Sequence, residues 1–153
     1  MATAASAQKA DARPTDPIEV VEAFLDALVR LDIDEAATHL ADDAVWHNVP
    51  FSPARGKDTV VRQLKGMNRF SDSEFTVEMI NIAANGPVVL TERLDLLRAG
   101  PVGGQFWVCG TFEVHDGLIT LWRDRFDFAN IAGKTISGTA KNLWARMRGL
   151  TAS

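Results

Sequence analysis

No tyrosine occurs among the 153 residues, and cysteine occurs once. Without a phenol, an acid, base or oxyanion donor has to come from carboxyls, amides, indoles or cations. A single Cys109 rules out an intrachain disulfide and favours a reducing compartment, so a cytoplasmic location is expected. It falls in the strand-like run Gln105-Phe106-Trp107-Val108-Cys109, where a buried, inert thiol is the ordinary reading. No apolar run approaches the roughly 18 residues that mark a membrane span, so no membrane partner is expected. The first fifteen residues lack the apolar stretch of a secretory signal and read as a tail ending near Pro14. Positive charge is scarce too. Sixteen Lys and Arg against twenty Asp and Glu give a net charge of −4, which leaves no footprint for nucleic acid. No His, Cys and acidic spacing suggests a metal, and no Gly-x-Ser-x-Gly elbow marks a serine-type hydrolase. No cofactor is expected.

What is present suits one soluble domain large enough for a sizeable core. From Asp16 to Leu31, Val20, Val21, Phe24, Leu25, Leu28 and Val29 recur at helical spacing, with Thr15 or Asp16 as cap and Pro17 in the first turn. Asp32 is placed to cap a second helix, Ile33 to Leu40. A short strand, Ala44 to Asn48, ends at Pro50; Pro53 to Gly56 reads as loop and Lys57 to Met67 as a third helix. The period then changes. Glu74 to Ile82, Val88 to Leu97, Gln105 to Val114 and Leu118 to Phe128 are rich in β-branched and aromatic residues. Asn85-Gly86, Gly100-Pro101-Val102-Gly103-Gly104 and His115-Asp116-Gly117 separate them as turns between antiparallel strands. Helices followed by long hairpin-linked strands describe an α+β domain, a curved sheet wrapped against helices around a pocket. Residues 1–15 form a tail, 16–130 the domain, and 131–153 an extension with a short helix from Lys141 to Arg148. That helix is placed to cover a sheet edge or the pocket mouth.

Polar residues sit where strand alternation points inward. Asn48 shares a face with Trp46, Arg93 with Asp95, and Asp124 with Trp122. Buried charge is costly unless paired, so one arginine between two carboxylates is an expensive arrangement to keep for packing alone. By the same alternation Glu92, Arg123 and Arg125 face away, where surface ion pairs explain them. His47 points to the opposite side from Asn48.

Thr91-Glu92-Arg93-Leu94-Asp95 followed by Trp122-Arg123-Asp124-Arg125-Phe126-Asp127, with Asn48-x-Pro50 upstream, resembles the catalytic strands of the limonene-1,2-epoxide hydrolase family. The likeness spans about Asp16 to Phe128 in element order and spacing. It implies the cone-shaped NTF2-like (SnoaL-like) fold, a homodimer, and a one-step, metal-free opening of an epoxide by water. On that resemblance Asp124 is the general base on water, Asp95 the general acid on the epoxide oxygen, Arg93 the bridge between them, and Asn48 a holder of the water. The family usually has a tyrosine at the position of Trp46. An indole donates one hydrogen bond and accepts none, so either Trp46 donates to the water oxygen or it only lines the pocket.

The chemistry is coherent apart from the family. Opening an epoxide at neutral pH needs a proton delivered as water attacks, so one carboxyl is protonated while the other is ionised. Arg93 with two ionised aspartates carries −1 in an apolar pocket; with one protonated, the trio is neutral. Leu97, Phe106, Val108, Trp122 and Phe126 fall on the same faces, and Met67, Met79 or Ile80 can close the pocket. Together they suit a lipophilic epoxide, cyclic, terpene-like or sterol-like. Three other readings compete: an epoxide-opening cyclase, an isomerase on the same fold, and a non-catalytic ligand-binding module. The isomerase is weakened by the missing tyrosine.

Overall fold

Asp16 accepts hydrogen bonds from the amides of Ile18 and Glu19, and Pro17 occupies the first turn, so α1 begins at Pro17 and runs to Val29. The structure is a computed structural model describing residues 13–68, 73–99 and 102–127. Val20, Val21, Phe24, Leu25 and Leu28 form the buried face of α1. No glycine ends this helix. Leu31 takes the left-handed conformation at φ 58°, while its amide and that of Asp32 return to the carbonyls of Leu28 and Ala27. Asp32 then caps α2, Ile33–Thr38, through the amide of Glu35.

Strand β1, Leu40–Val49, is longer than expected and carries the exposed Asp42 and Asp43 across a register shift between Leu40 and Val45. Ala54–Arg55, expected as loop, adds a two-residue antiparallel strand β2 beside Val45 and Trp46. Helix α3, Lys57–Met67, buries Val60 and Leu64. Strands β3 (Ser73–Asn85), β4 (Val88–Ala99), β5 (Val102–His115) and β6 (Leu118–Phe126) pair in sequence as antiparallel neighbours. Asp116 and Gly117 both have positive φ, as a tight hairpin matching strand twist requires.

The six strands lie in the order β2-β1-β6-β5-β4-β3, and β1 runs parallel to β6. This parallel contact sets the inward residues of the first long strand beside those of the last. Phe24 of α1 meets Trp122 edge-on at 5.1 Å and Phe112 at 6.4 Å, closing the apolar end of the cone. The tail expected before residue 16 (apart from residues 13–15) and the helix expected at Lys141 to Arg148 lie outside the described residues.

Phe24 has no exposed surface, so Phe24→Ala should cost about 3–5 kcal/mol of unfolding free energy in urea titration. A loss below about 1 kcal/mol would mean the helix is not the lid of this core.

Candidate active site

Strand register arranges the inward side chains as rows across the sheet. Trp46, Trp122 and Phe112 make one row, and Asn48, Asp124, Gly110 and Thr91 the next. Phe126, Val108, Arg93 and Met79 follow, then Phe106, Asp95 and Val77. Arg93 therefore shares β4 with Asp95 but stands two strands from Asp124.

The guanidinium closes that gap. Arg93 Nε and Nη2 donate to the two carboxylate oxygens of Asp95 at 3.2 and 3.1 Å, and Nη2 also donates to Asp124 Oδ2 at 3.0 Å. Nη1 donates to Thr91 Oγ1 at 3.1 Å. Arg93 is 0% exposed, Asp95 3% and Asp124 5%, so all of these bonds lie out of water. Trp122 Nε1 donates to the same Asp124 Oδ2 at 2.8 Å. Trp46 stacks on Trp122 with centroids 4.7 Å apart. Two buried polar atoms of the site find no partner among the described residues: Asp124 Oδ1 and Trp46 Nε1.

Burial pushes Asp124 above the usual carboxylate range, against the pull of Arg93 and the Trp122 hydrogen bond and with the help of nearby Asp95. Burial likewise raises Asp95, opposed by Arg93. Burial works against the Arg93 cation too, but Asp124 and Asp95 hold it above its usual range. Arg93 is thus a cation between two carboxyls whose ionisation burial opposes, and their titration belongs to the pair.

These groups border a cavity of about 300 Å³. Trp46, Asn48, Asp95 and Asp124 line it, with Leu97, Phe106, Val108, Trp122, Phe126 and Met67. Arg93 stands behind the wall. Two residues considered for the pocket lie elsewhere. Met79 packs against the apolar core, and Ile80 is exposed at a bulge where β3 gains a residue between Met79 and Asn81. Leu28, Leu31, Ile33, Leu64 and Phe75 also line it without having been anticipated, as do Phe51, Asn68, Ser73 and Glu74. Helical and strand spacing marked the first five only as core.

Thr91 and the hydrogen-bonding role of Trp122 were also missed, although each stands two residues from a partner on the same strand face. Glu92 faces outward as expected, and among the described residues it makes no ion pair. The Asn81 amide and the Trp107 indole donate to its carboxylate and hold it below its usual range. Among the described residues no group of three or more His, Cys, Asp or Glu side chains is placed to hold a metal ion, and no helix is long and apolar enough to cross a membrane.

Residues 15–137 match the family described as the limonene-1,2-epoxide hydrolase catalytic domain. Epoxide hydrolase EphG of Mycobacterium tuberculosis is 50% identical over 110 residues, covering 70% of this chain and 70% of the relative. A solved M. tuberculosis LEH-like epoxide hydrolase superposes with a TM-score of 0.76 at 44% identity, covering 86% of this chain and 97% of the other. An NTF2-like protein of unknown function from Cytophaga hutchinsonii shares the fold at 16% identity, with a TM-score of 0.63 over 74% of this chain and 92% of its own.

The raised carboxyls make a signed prediction. A carboxyl whose folded value lies above its unfolded one binds its proton more tightly when folded, so its contribution to stability is complete at low pH. That contribution is lost as pH rises from the ordinary aspartate value of 3.8 through the raised range. Asp124→Asn keeps an acceptor for Trp122 without the ionisation. Its unfolding free energy, measured in denaturant from pH 4 upward, should fall less steeply than that of the parent. Equal slopes would contradict the assignment.

Proposed function

This chain belongs to the limonene-1,2-epoxide hydrolase family, and from that premise we propose that it opens a lipophilic epoxide to a vicinal diol through Asp95, Arg93 and Asp124, with no covalent intermediate. It is an epoxide hydrolase of the limonene-1,2-epoxide hydrolase type, on an NTF2-like fold. The observation that carries the mechanism is a fully buried guanidinium joined to two carboxyls at the wall of an apolar cavity.

Asp124 is the base. Its Oδ2 is occupied by Arg93 and Trp122, and Oδ1 is left over. A water seated between Oδ1 and the Trp46 indole would accept from the indole and donate to the carboxylate. Asn48, opposite Asp124 in strand register, can accept its second hydrogen. This favours the reading in which Trp46 holds the water over the one in which it only lines the pocket. The water oxygen bonds to an epoxide carbon as that carbon's bond to the ring oxygen breaks. Asp124 takes the water's proton, and Asp95 gives its own to the departing oxygen. Before and after the step the trio is neutral, with the proton exchanged between carboxyls, and a proton returned from Asp124 to Asp95 resets the site.

A cavity of about 300 Å³ stands at the lower end of small-molecule pockets. With Leu28, Phe75, Leu97 and Phe106 around it, that size suits a cycloalkene or terpene oxide better than a sterol epoxide. Residues 16–130 form the catalytic unit, and the single cysteine fits a cytoplasmic enzyme. The enzyme acts as a homodimer joined through the outer sheet face, where Ile80, Leu90 and Trp107 are exposed. Acidic Glu78 and Glu92 on β3 and β4, against Arg123 and Arg125 on β6, allow a two-fold to set opposite charges together.

With a panel of cyclic and terpene epoxides, Asp124→Asn and Asp95→Asn should each lower kcat by at least about 10²-fold while circular dichroism stays unchanged. Full activity in either removes the mechanism. In ¹⁸O-water one labelled oxygen should enter the diol in a single turnover; unlabelled cyclic ether would mean a cyclase. Trp46→Phe keeps the stack and loses the donor, so kcat should drop about tenfold, whereas no change would leave Trp46 a lining residue. Sedimentation should give a dimer that Leu90→Asp disperses, and a monomeric parent would reject the outer-face association.

A further inference from the structure

Arg93 reaches a carboxylate two strands away by passing over β5, and the position it passes over carries no side chain. Gly110 lies opposite Thr91 on β4 and opposite Asp124 on β6. A Cβ built there would stand 2.5 Å from Thr91 Oγ1, 2.6 Å from Arg93 Nη1 and 2.9 Å from Asp124 Oδ1. All three neighbours are polar atoms of the site. The space that a side chain at 110 would fill is the space the guanidinium occupies. Glycine inside a strand weakens it by about 0.5–1 kcal/mol relative to alanine, and its usual justification is close approach by another group. The approaching group here is the arginine that joins acid to base.

We propose that Gly110 and Thr91 are the positioning residues of the reaction, Gly110 by leaving the passage open and Thr91 by fixing the far side of the guanidinium. Thr91 is 2% exposed, and its hydroxyl accepts a hydrogen bond from Nη1 at 3.1 Å. Three hydrogen bonds to two carboxyls and one to a hydroxyl fix the orientation of the guanidinium plane. A methyl at 110 would drive Nη1, the hydroxyl and Asp124 Oδ1 apart together. Oδ1 is the atom that takes the proton from water in the mechanism above, so the proposal rests on that reading for its catalytic consequence, while the placement of Arg93 stands on geometry alone.

The test compares the full-length protein with Gly110→Ala, Gly104→Ala, Thr91→Val and Thr91→Ser. Gly104 lies on the same strand with nothing within 4 Å of an added Cβ, so its variant controls for strand effects. Hydrolysis of cyclohexene oxide should fall about 10²-fold in kcat/KM for Gly110→Ala, the scale of a misplaced catalytic group. Gly104→Ala should match the parent. Independently of any substrate, carboxyl resonances of Asp95 and Asp124 should titrate higher by about one unit or more in Gly110→Ala, because the cation that favours their ionised forms has moved off. Thr91→Val should lower kcat/KM about tenfold, one charge-assisted hydrogen bond's worth, and Thr91→Ser should restore it. Should Gly110→Ala fail to fold, the Thr91 pair decides. Unchanged carboxyl titration and activity in Gly110→Ala, or in Thr91→Val where that variant decides, would overturn the proposal. A parent inactive on every epoxide with carboxyl titrations that still shift would instead retire the hydrolytic reading and keep the positioning one.

Discussion

A guanidinium with no exposed surface, held between two buried carboxyls, is the constraint from which the rest of the site follows. Removing a cation from water carries a desolvation penalty of several kcal/mol that only well-placed anions and hydrogen bonds offset. Arg93 has both, through Asp95, Asp124 and Thr91. Two ionised aspartates would leave the trio with a net negative charge in an apolar wall. One proton retained between them would remove that charge. In the proposed mechanism that same proton is the one an epoxide oxygen needs, so stability and reactivity would draw on the same electrostatics.

The sheet topology makes the trio possible. Parallel pairing of β1 with β6 brings Trp46 onto Trp122 and Asn48 beside Asp124, joining residues far apart in sequence. The aromatic row of Trp46, Trp122 and Phe112, clamped by Phe24, closes one end of the cone and aims an indole N–H at Asp124. Beyond the next row the cavity opens among leucine and phenylalanine side chains. A donor and an acceptor are left over at Trp46 Nε1 and Asp124 Oδ1, where the proposed mechanism seats its water.

Much of this was legible in the chain. Alternation placed Arg93 with Asp95, and Trp122 with Asp124, on the inward faces of their strands, and the Asp16 and Asp32 caps located two helices within a residue or two. What escaped depended on register, which a single strand does not reveal. Gly110 reads as a weak point in a strand until Thr91 and Asp124 are known to flank it. Ile80 sits at a bulge that alternation cannot foresee. Leu31 stands in a left-handed conformation where glycine is usual, and its role in the cavity wall came only from the fold. Ala54 and Arg55 gain strand character solely from the β1 edge they meet.

The protonation state of the trio bears most directly on the account. Infrared difference spectroscopy of the unliganded protein at neutral pH, with Asp95→Asn and Asp124→Asn for assignment, resolves a protonated carboxyl from a carboxylate. A single protonated carboxyl, absent once its aspartate is replaced, is the result predicted. Two ionised aspartates flanking Arg93 at that pH would contradict it, leaving a buried ion-pair network with no proton to give.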